Sequence, residues 1–186
     1  TMLATGTIVG AGANLFGVVG TTSTALVVIG EDITLDGAGK YIPNQTDDIK
    51  TSQGGDGATI GVDSQMFDPG EGAYFTYVTG TDVLGVGDNA NSISYDATQE
   101  VTGAAFRISQ TQGNALATAQ ISAYDLDDAP QGVDFVLARG TGDPVSITAV
   151  RVFNAAGVLI EEETDGSAPS VDDTTVDIVF SGAPGA

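Results

Sequence analysis

Glycine is the residue that most constrains how this chain can fold. The 186 residues include 26 glycines, and the segments between them are rich in threonine, valine and isoleucine. Glycine destabilises a helix interior, whereas β-branched side chains fit the surface of a pleated sheet. Short apolar runs bounded by Gly, Asp, Asn or Pro recur along the chain, and this pattern predicts an all-β protein.

Strand candidates are clearest in the C-terminal half. ATAQISAYDL (117–126) alternates apolar and polar residues, which is the period of a half-buried strand. NAAG followed by VLIEEE (154–163) predicts the turn and second strand of a hairpin, with Gly157 available for a left-handed turn position. The other candidates in this half are AAFRISQ (104–110), VDFVLA (133–138), VSITAVRVF (145–153) and TTVDIVFSG (174–182).

The N-terminal half supplies further strand candidates. They are NLFGVVG (14–20), TALVVIG (24–30), DITLDG (32–37), ATIGVD (58–63), AYFTYVTG (73–80) and TDVLGVGD (81–88), with SISYD (92–96) as a weaker one. The most loop-like stretches are residues 40–57 and 161–175, because they are rich in Gly, Asp, Ser and Pro. The chain length favours one domain over residues 1–186, a jelly-roll or β-sandwich barrel with short strands and Gly- and Asp-rich loops. Residues 1–22 would form an N-terminal arm of that domain.

Charge is the second strong feature of the sequence. Twenty-five acidic residues against five basic ones give a net charge of −20, yet 41% of the residues are hydrophobic. The acids are scattered between apolar runs, which is typical of a folded protein with a carboxylate-covered surface and not of a disordered acidic tail. Such a surface repels itself unless about 1 M salt shortens the Debye length to about 3 Å, so the composition indicates a high-salt environment. The same charge disfavours direct binding to nucleic acid or electrostatic docking on an anionic membrane.

The residue types that most catalytic centres need are missing. The chain has no cysteine and no histidine, which removes thiolate and imidazole chemistry and the ligands that zinc prefers. A serine hydrolase would need another base, and Lys40 and Lys50 are the only lysines. Paired carboxylates can hydrolyse glycosides, but 25 acids offer no reason to choose a pair. We therefore expect no enzyme and predict no catalytic residue, with a carboxylate-based hydrolase as the weakest alternative.

Two glycine-rich nucleotide motifs fail in this sequence. In VGAGANLFG (9–17) the third glycine of a dinucleotide fingerprint would fall at Leu15, and the β-rich remainder offers no βαβ unit to hold it. The Gly-Lys-Ser/Thr of a phosphate-binding loop occurs nowhere in the chain. No cofactor is therefore predicted.

Two short acidic segments raise the question of a cation site. Neither has the twelve-residue loop with a final glutamate that an EF-hand requires. In a chain with this many aspartates such clusters arise by chance, so no metal ligand is predicted and cation binding at either segment stays open. The two sets of oxygen-bearing side chains are Asp125, Asp127 and Asp128 in DLDD, and Asp88, Asn89 and Asn91 in GDNANS.

The first thirty residues carry no charge at all. They lack the basic start of a signal peptide, and glycines interrupt the apolar run that a transmembrane helix needs. The segment is therefore either the first buried strand or a surface that another subunit or a lipid bilayer approaches without carboxylate repulsion. The predicted contact side chains of the second interpretation are Ile8, Val9, Leu15, Phe16, Val18 and Val19.

A small, acidic, cysteine-free chain with this strand density resembles the smaller major capsid protein of haloarchaeal icosahedral viruses with an internal membrane. These proteins belong to the vertical single β-barrel lineage. The resemblance covers length, charge and strand density and includes no sequence motif. The start TMLATG fits removal of an initiator Met before Thr1, so secretion through a cleaved signal is not expected.

The resemblance implies a structural role in a virion. An upright jelly roll would stand in the capsid shell, packed against copies of itself and a larger sister capsid protein, over the virion membrane. It implies no catalytic residue and no cofactor, and it places function in strand edges, loops and termini.

A secreted cell-surface or filament subunit of a halophile is the alternative. Such a subunit would assemble by strand addition outside the cell, and an uncharged strand-forming N-terminus suits a donor strand.

Overall fold

The computed structural model describes residues 13–43, 47–54, 57–64, 67–106, 117–126, 130–153, 156–164 and 175–180. These residues form mostly antiparallel β-strands with one short α-helix, which confirms the all-β class predicted from the glycine and β-branched pattern. The chain divides into two compact units, the first made of residues 1–104 and 126–140 and the second of residues 105–125 and 141–186. The single domain over residues 1–186 stays a prediction, and so does an arm over residues 1–22, of which Phe16–Gly20 form a buried strand.

Within the described residues, the first unit contains one five-stranded sheet and one separate hairpin. The sheet has the strand order β6-β1-β2-β5-β7, and the hairpin is β3–β4. The order β6-β1-β2-β5 resembles a Greek key, in which the fourth strand returns to lie beside the first, with the β3–β4 hairpin inserted before β5. The strands are β1 (Phe16–Gly20), β2 (Ala25–Gly30), β3 (Ile49–Gly54), β4 (Gly57–Val62), β5 (Ala73–Thr79), β6 (Gly85–Gly87) and β7 (Ala97–Thr98).

Strands β1 and β2 are covered on both faces, which explains why their sequences are almost continuously apolar. On one face Phe16, Val27 and Ile29 join a core that is closed by irregular segments and by the helix. On the other face Val28 packs against Ile49 and Val62 at the base of the β3–β4 hairpin. Full burial of such a side chain contributes about 1.5–3 kcal/mol to the stability of the unit.

The helix α1 (Gly132–Leu137) corrects the strand predicted over residues 133–138. Phe135 and Val136 of this helix are buried. The rings of Phe135 and Tyr95 meet edge-on, with their centroids 5.4 Å apart. The Arg139 guanidinium holds the helix end in place, because it donates to the Glu31 carbonyl oxygen at 2.8 and 3.1 Å. A helix of six residues is too short to show a 3.6-residue period, so its sequence could not be told from a strand.

The loop predicted over residues 40–57 is wrong in its second half, where β3 begins at Ile49. β3 is IKTSQG, and Ile49 is its single apolar residue. It forms a strand because it pairs with β4 along its length and buries one apolar pair. Ile49 lies opposite Val62, and both side chains are fully buried. Conversely, the strand predicted over residues 32–37 is reduced to an isolated bridge between Leu35 and Tyr41.

Within the described residues, the second unit contains a three-stranded sheet and a hairpin, and neither closes into a barrel. The sheet order is β12-β8-β9, and the hairpin pairs β10 with β11. Gly157 has φ of 76° in the hairpin turn, as predicted. The strand predicted over 145–153 is interrupted between β9 and β10, and of the candidate over 104–110 only residues 104–106 lie within the described part, where they are irregular. The strands are β8 (Ala117–Asp125), β9 (Asp143–Val145), β10 (Ala149–Phe153), β11 (Leu159–Thr164) and β12 (Thr175–Phe180).

Candidate functional site

The predicted contact residues of the N-terminal segment lie in the core of the first unit. Leu15, Phe16, Val18 and Val19 are at most 6% exposed. None of these four side chains is therefore available to another subunit in the folded chain, and for them the buried-strand interpretation holds. Ile8 and Val9 lie outside the described residues.

The Asp88, Asn89 and Asn91 side chains serve the fold of the first unit. Asp88 pairs with Lys40 at 3.2 Å. The Asn89 side chain accepts a hydrogen bond from the backbone N–H of Asn91 and caps a single 3-10 turn. The Asn91 amide donates to the Ala38 carbonyl oxygen at 2.9 Å. Their polar atoms are directed at different partners and do not converge on one point.

Asp125 ends strand β8 and is exposed, and it lies opposite Asp143 of β9. Asp127 and Asp128 lie outside the described residues. In the part of the chain that the structure describes, no three carboxylates come together as a group able to hold a metal ion.

A buried pair of acids, Asp47 and Asp48, is a feature that sequence reasoning missed. They are only 4% and 5% exposed, although they stand in a stretch that predicted a loop. The Asp47 carboxylate accepts a hydrogen bond from the backbone N–H of Asp32, just after β2. Asp48 pairs with Lys50 at 3.1 Å, and its carbonyl oxygen accepts the N–H of Asp63 at 2.7 Å. The pair therefore fastens the β3–β4 hairpin to the end of β2.

Burial raises the pKa of the Asp47 carboxyl. The carboxylates of Asp32 and Asp63 add to this rise, while the hydrogen bond from the Asp32 N–H and the charge of Arg139 oppose it. Burial likewise raises the pKa of Glu71, which faces Asp68, Asp63 and Asp47. The carboxyl groups of Asp47 and Glu71 therefore bind a proton more tightly in the folded protein than in the unfolded chain.

Asp47→Asn should raise the melting temperature at neutral pH. The raised pKa means that the stability contributed by Asp47 is fully present below its ordinary value of 3.8 and is lost as the pH rises through the folded value. Asparagine removes the charge, keeps an oxygen that can accept the Asp32 N–H, and tolerates the positive φ of 68° at this position. Thermal melts of both proteins from about pH 3.5 to 7.5 would measure the difference, which should grow as the pH rises.

Asp36→Asn is the matched control. It also removes one negative charge, but the contribution of Asp36 to stability changes with pH in the opposite direction from that of Asp47. Hydrogen bonds from the backbone N–H groups of Lys40 and Ala38 lower the pKa of Asp36. The stability contributed by Asp36 is therefore present above 3.8 and lost as the pH falls through the lowered value, so Asp36→Asn should lower the melting temperature at neutral pH. Equal shifts of the same sign in both variants would mean that overall charge, and not the local environment, sets the effect.

The two units differ sharply in how their apolar side chains are buried. Every fully buried apolar side chain that the structure describes belongs to the first unit. In the second unit, β8 alternates half-buried residues such as Ile121 with exposed ones such as Tyr124. Among its described residues, the exposed large apolar side chains of the second unit are Phe106, Tyr124, Val145, Phe153, Val158 and Leu159.

In the described part of the chain, no helix combines the length and the apolar character that a membrane crossing requires. Comparisons of the chain with protein-family models, curated proteins and solved structures found no significant match.

Proposed function

We propose that this chain is a structural subunit of a virus capsid, which assembles in high salt with copies of itself and with a second capsid protein over the virion membrane. The observation that carries this proposal is the burial of the second unit. Strands β8, β10 and β12 are apolar on alternate positions, yet none of the unit's described apolar side chains is fully buried. Sheets become stable by covering an apolar face. A neighbouring chain in an assembly would supply that cover.

The strand order of the first unit supports a jelly-roll architecture. Jelly rolls are built from Greek keys, and β6 returns to pair with β1 after β5 has paired with β2. The short edge strands β6 and β7, of three and two residues, restrict uncontrolled pairing along this sheet. Contacts between subunits are then expected through the second unit.

The charge of the chain explains why assembly would depend on salt. Each copy carries a net charge of −20, so neighbouring copies repel one another. At about 0.1 M salt the Debye length is about 10 Å, and at about 1 M it is about 3 Å. Repulsion across a subunit contact is therefore strong in dilute buffer and short-ranged in molar salt.

Diluting the salt from about 1 M to about 0.1 M should dissociate the assembled protein. Sedimentation and electron microscopy of the purified protein would follow this change, with closed shells expected at the higher concentration. Hydrogen exchange adds a local readout. Amides of the second unit should be protected in the assembled protein and exchange faster after dilution, while β1 and β2 should stay protected in both.

Two outcomes would contradict the proposal. A monomer in both salts would leave the second unit uncovered in its functional state, which the proposal does not allow. Assemblies that survive the dilution unchanged would show that charge repulsion does not limit assembly.

A halophile cell-surface or filament subunit is favoured by one separate observation. Within the described residues, β10 and β11 pair only with one another, so each has an outer edge at which a strand could be added. Electron microscopy separates the two functions directly, because strand addition in one direction produces filaments and capsid subunits produce closed shells.

A further inference from the structure

The end of the β10–β11 hairpin is an apolar surface patch. Phe153 of β10 lies opposite Leu159 of β11, and they are 54% and 44% exposed. Val158, in the turn just before β11, is 57% exposed. These three side chains, which we call the hairpin patch, therefore present apolar surface at one end of a two-stranded element. Patches of this kind mark sites of interaction more often than scattered single residues do.

The hairpin patch is also uncharged, in a chain whose net charge is −20. Residues 153–160, FNAAGVLI, contain no acid and no base. Next to the patch, the Arg151 guanidinium pairs with the Glu162 carboxylate at 2.6 Å. One of only five bases in the chain thus neutralises an acid close to the patch. Glu161 and Glu163 flank this ion pair in the sequence, so two copies can approach one another here once molar salt has screened their charges.

We propose that the hairpin patch is a self-association surface, at which Phe153, Val158 and Leu159 of one copy pack against the same residues of a second copy. This inference rests on the proposed structural function and names its contact. An uncharged apolar patch is complementary to itself, as a two-fold contact requires. A basic partner would instead be attracted to the carboxylates that cover the rest of the surface. A second copy is the occupant that the proposed assembly supplies, and residues 153–160 bring no charge into the contact.

The size of the hairpin patch sets the expected strength of the contact. Three side chains cover far less than the about 800 Å² per partner of a standard interface. A single contact is accordingly weak and reversible, and an assembly would gain stability by combining it with other contacts. The test must therefore detect weak pairing in molar salt.

Cysteine crosslinking provides that test, because the chain has no native cysteine. Val158→Cys should form covalent dimers with a short bismaleimide in about 1 M salt, where charge repulsion is screened. Leu84→Cys is the matched control, because Leu84 is 48% exposed and belongs to the first unit. Equal crosslinking of both variants would overturn the proposal.

Serine substitutions test the energetic contribution without changing the charge. Phe153→Ser should weaken self-association measured by sedimentation about tenfold or more, as expected for an apolar residue at the centre of a contact. Phe75→Ser removes a similarly exposed ring, 51% exposed on β5, and should leave association unchanged. Circular dichroism would confirm that both variants keep their strands, and the crosslinking of Val158→Cys remains decisive if Phe153→Ser does not fold.

The outcomes distinguish this inference from the proposed function. If the wild-type protein assembles and Phe153→Ser assembles equally well, the hairpin patch is not the contact while the structural function stands. If the wild-type protein is monomeric in molar salt, both fail together.

Discussion

Replacing Val18 by aspartate should strongly destabilise the first unit. Val18 is the central residue of β1, only 2% exposed, and it lies between β2 and β6 in the sheet. An aspartate here would place a charge in the apolar core without a partner. An uncompensated buried charge costs about 3–5 kcal/mol, a large part of the about 5–15 kcal/mol by which a domain is normally stable. Urea unfolding in molar salt, followed by circular dichroism, would measure the loss.

Leu84→Asp is the control for this variant. It adds the same charge to the same unit, but Leu84 is 48% exposed. Its free energy of unfolding should stay within about 0.5 kcal/mol of the wild type, as for most surface substitutions. If Val18→Asp is as stable as Leu84→Asp, β1 does not lie in the core.

Gly30→Ala should also lower the stability of the first unit, by less than Val18→Asp does. Gly30 ends β2, and a methyl group at this position would overlap the backbone carbonyl oxygen of Asp47 and lie 2.7 Å from its Cβ atom. The obstacle is mainly backbone, so it cannot rotate away, and the hairpin that Asp47 fastens to the sheet would have to move. Overpacking of this kind costs up to about 3 kcal/mol. Urea unfolding would detect it as a lower midpoint with a similar slope.

Gly37→Ala makes the same chemical change in open space. A methyl group at Gly37 would meet no atom within 4 Å. Its stability should be unchanged or slightly higher, because alanine reduces the freedom of the unfolded chain. A similar loss in both variants would attribute the effect to glycine as a residue type and not to the contact with Asp47.

Val18→Asp and Gly30→Ala change the first unit, whereas the hairpin patch belongs to the second unit. The first unit encloses its own core on both faces of β1 and β2. The described apolar side chains of the second unit remain half-buried or exposed. If the second unit is where copies meet, substitutions in the first unit should act on folding and substitutions at Phe153 on assembly. Measuring both properties for each variant would test that separation.

Sequence reasoning found the strands whose own residues carry the signal. The alternation in β8 and the turn at Gly157 depend on neighbouring residues, and both are confirmed. It failed for α1, where six residues fit either period, and for β3, whose only apolar residue is buried by Val62 and Val28. The buried acids Asp47 and Asp48 gave no signal, since paired aspartates in a polar stretch are normally exposed.

The sequence alone determined the class of the fold, the polyanionic surface and the lack of histidine and cysteine chemistry, because these follow from composition and local pattern. It left two interpretations of the uncharged N-terminal segment. Only the tertiary structure decided that Leu15, Phe16, Val18 and Val19 lie in the core, and that the uncharged residues left exposed include Phe153, Val158 and Leu159 instead. Burial depends on residues far apart in the chain, such as Phe16 and Phe135 in one core, and no local pattern contains that information.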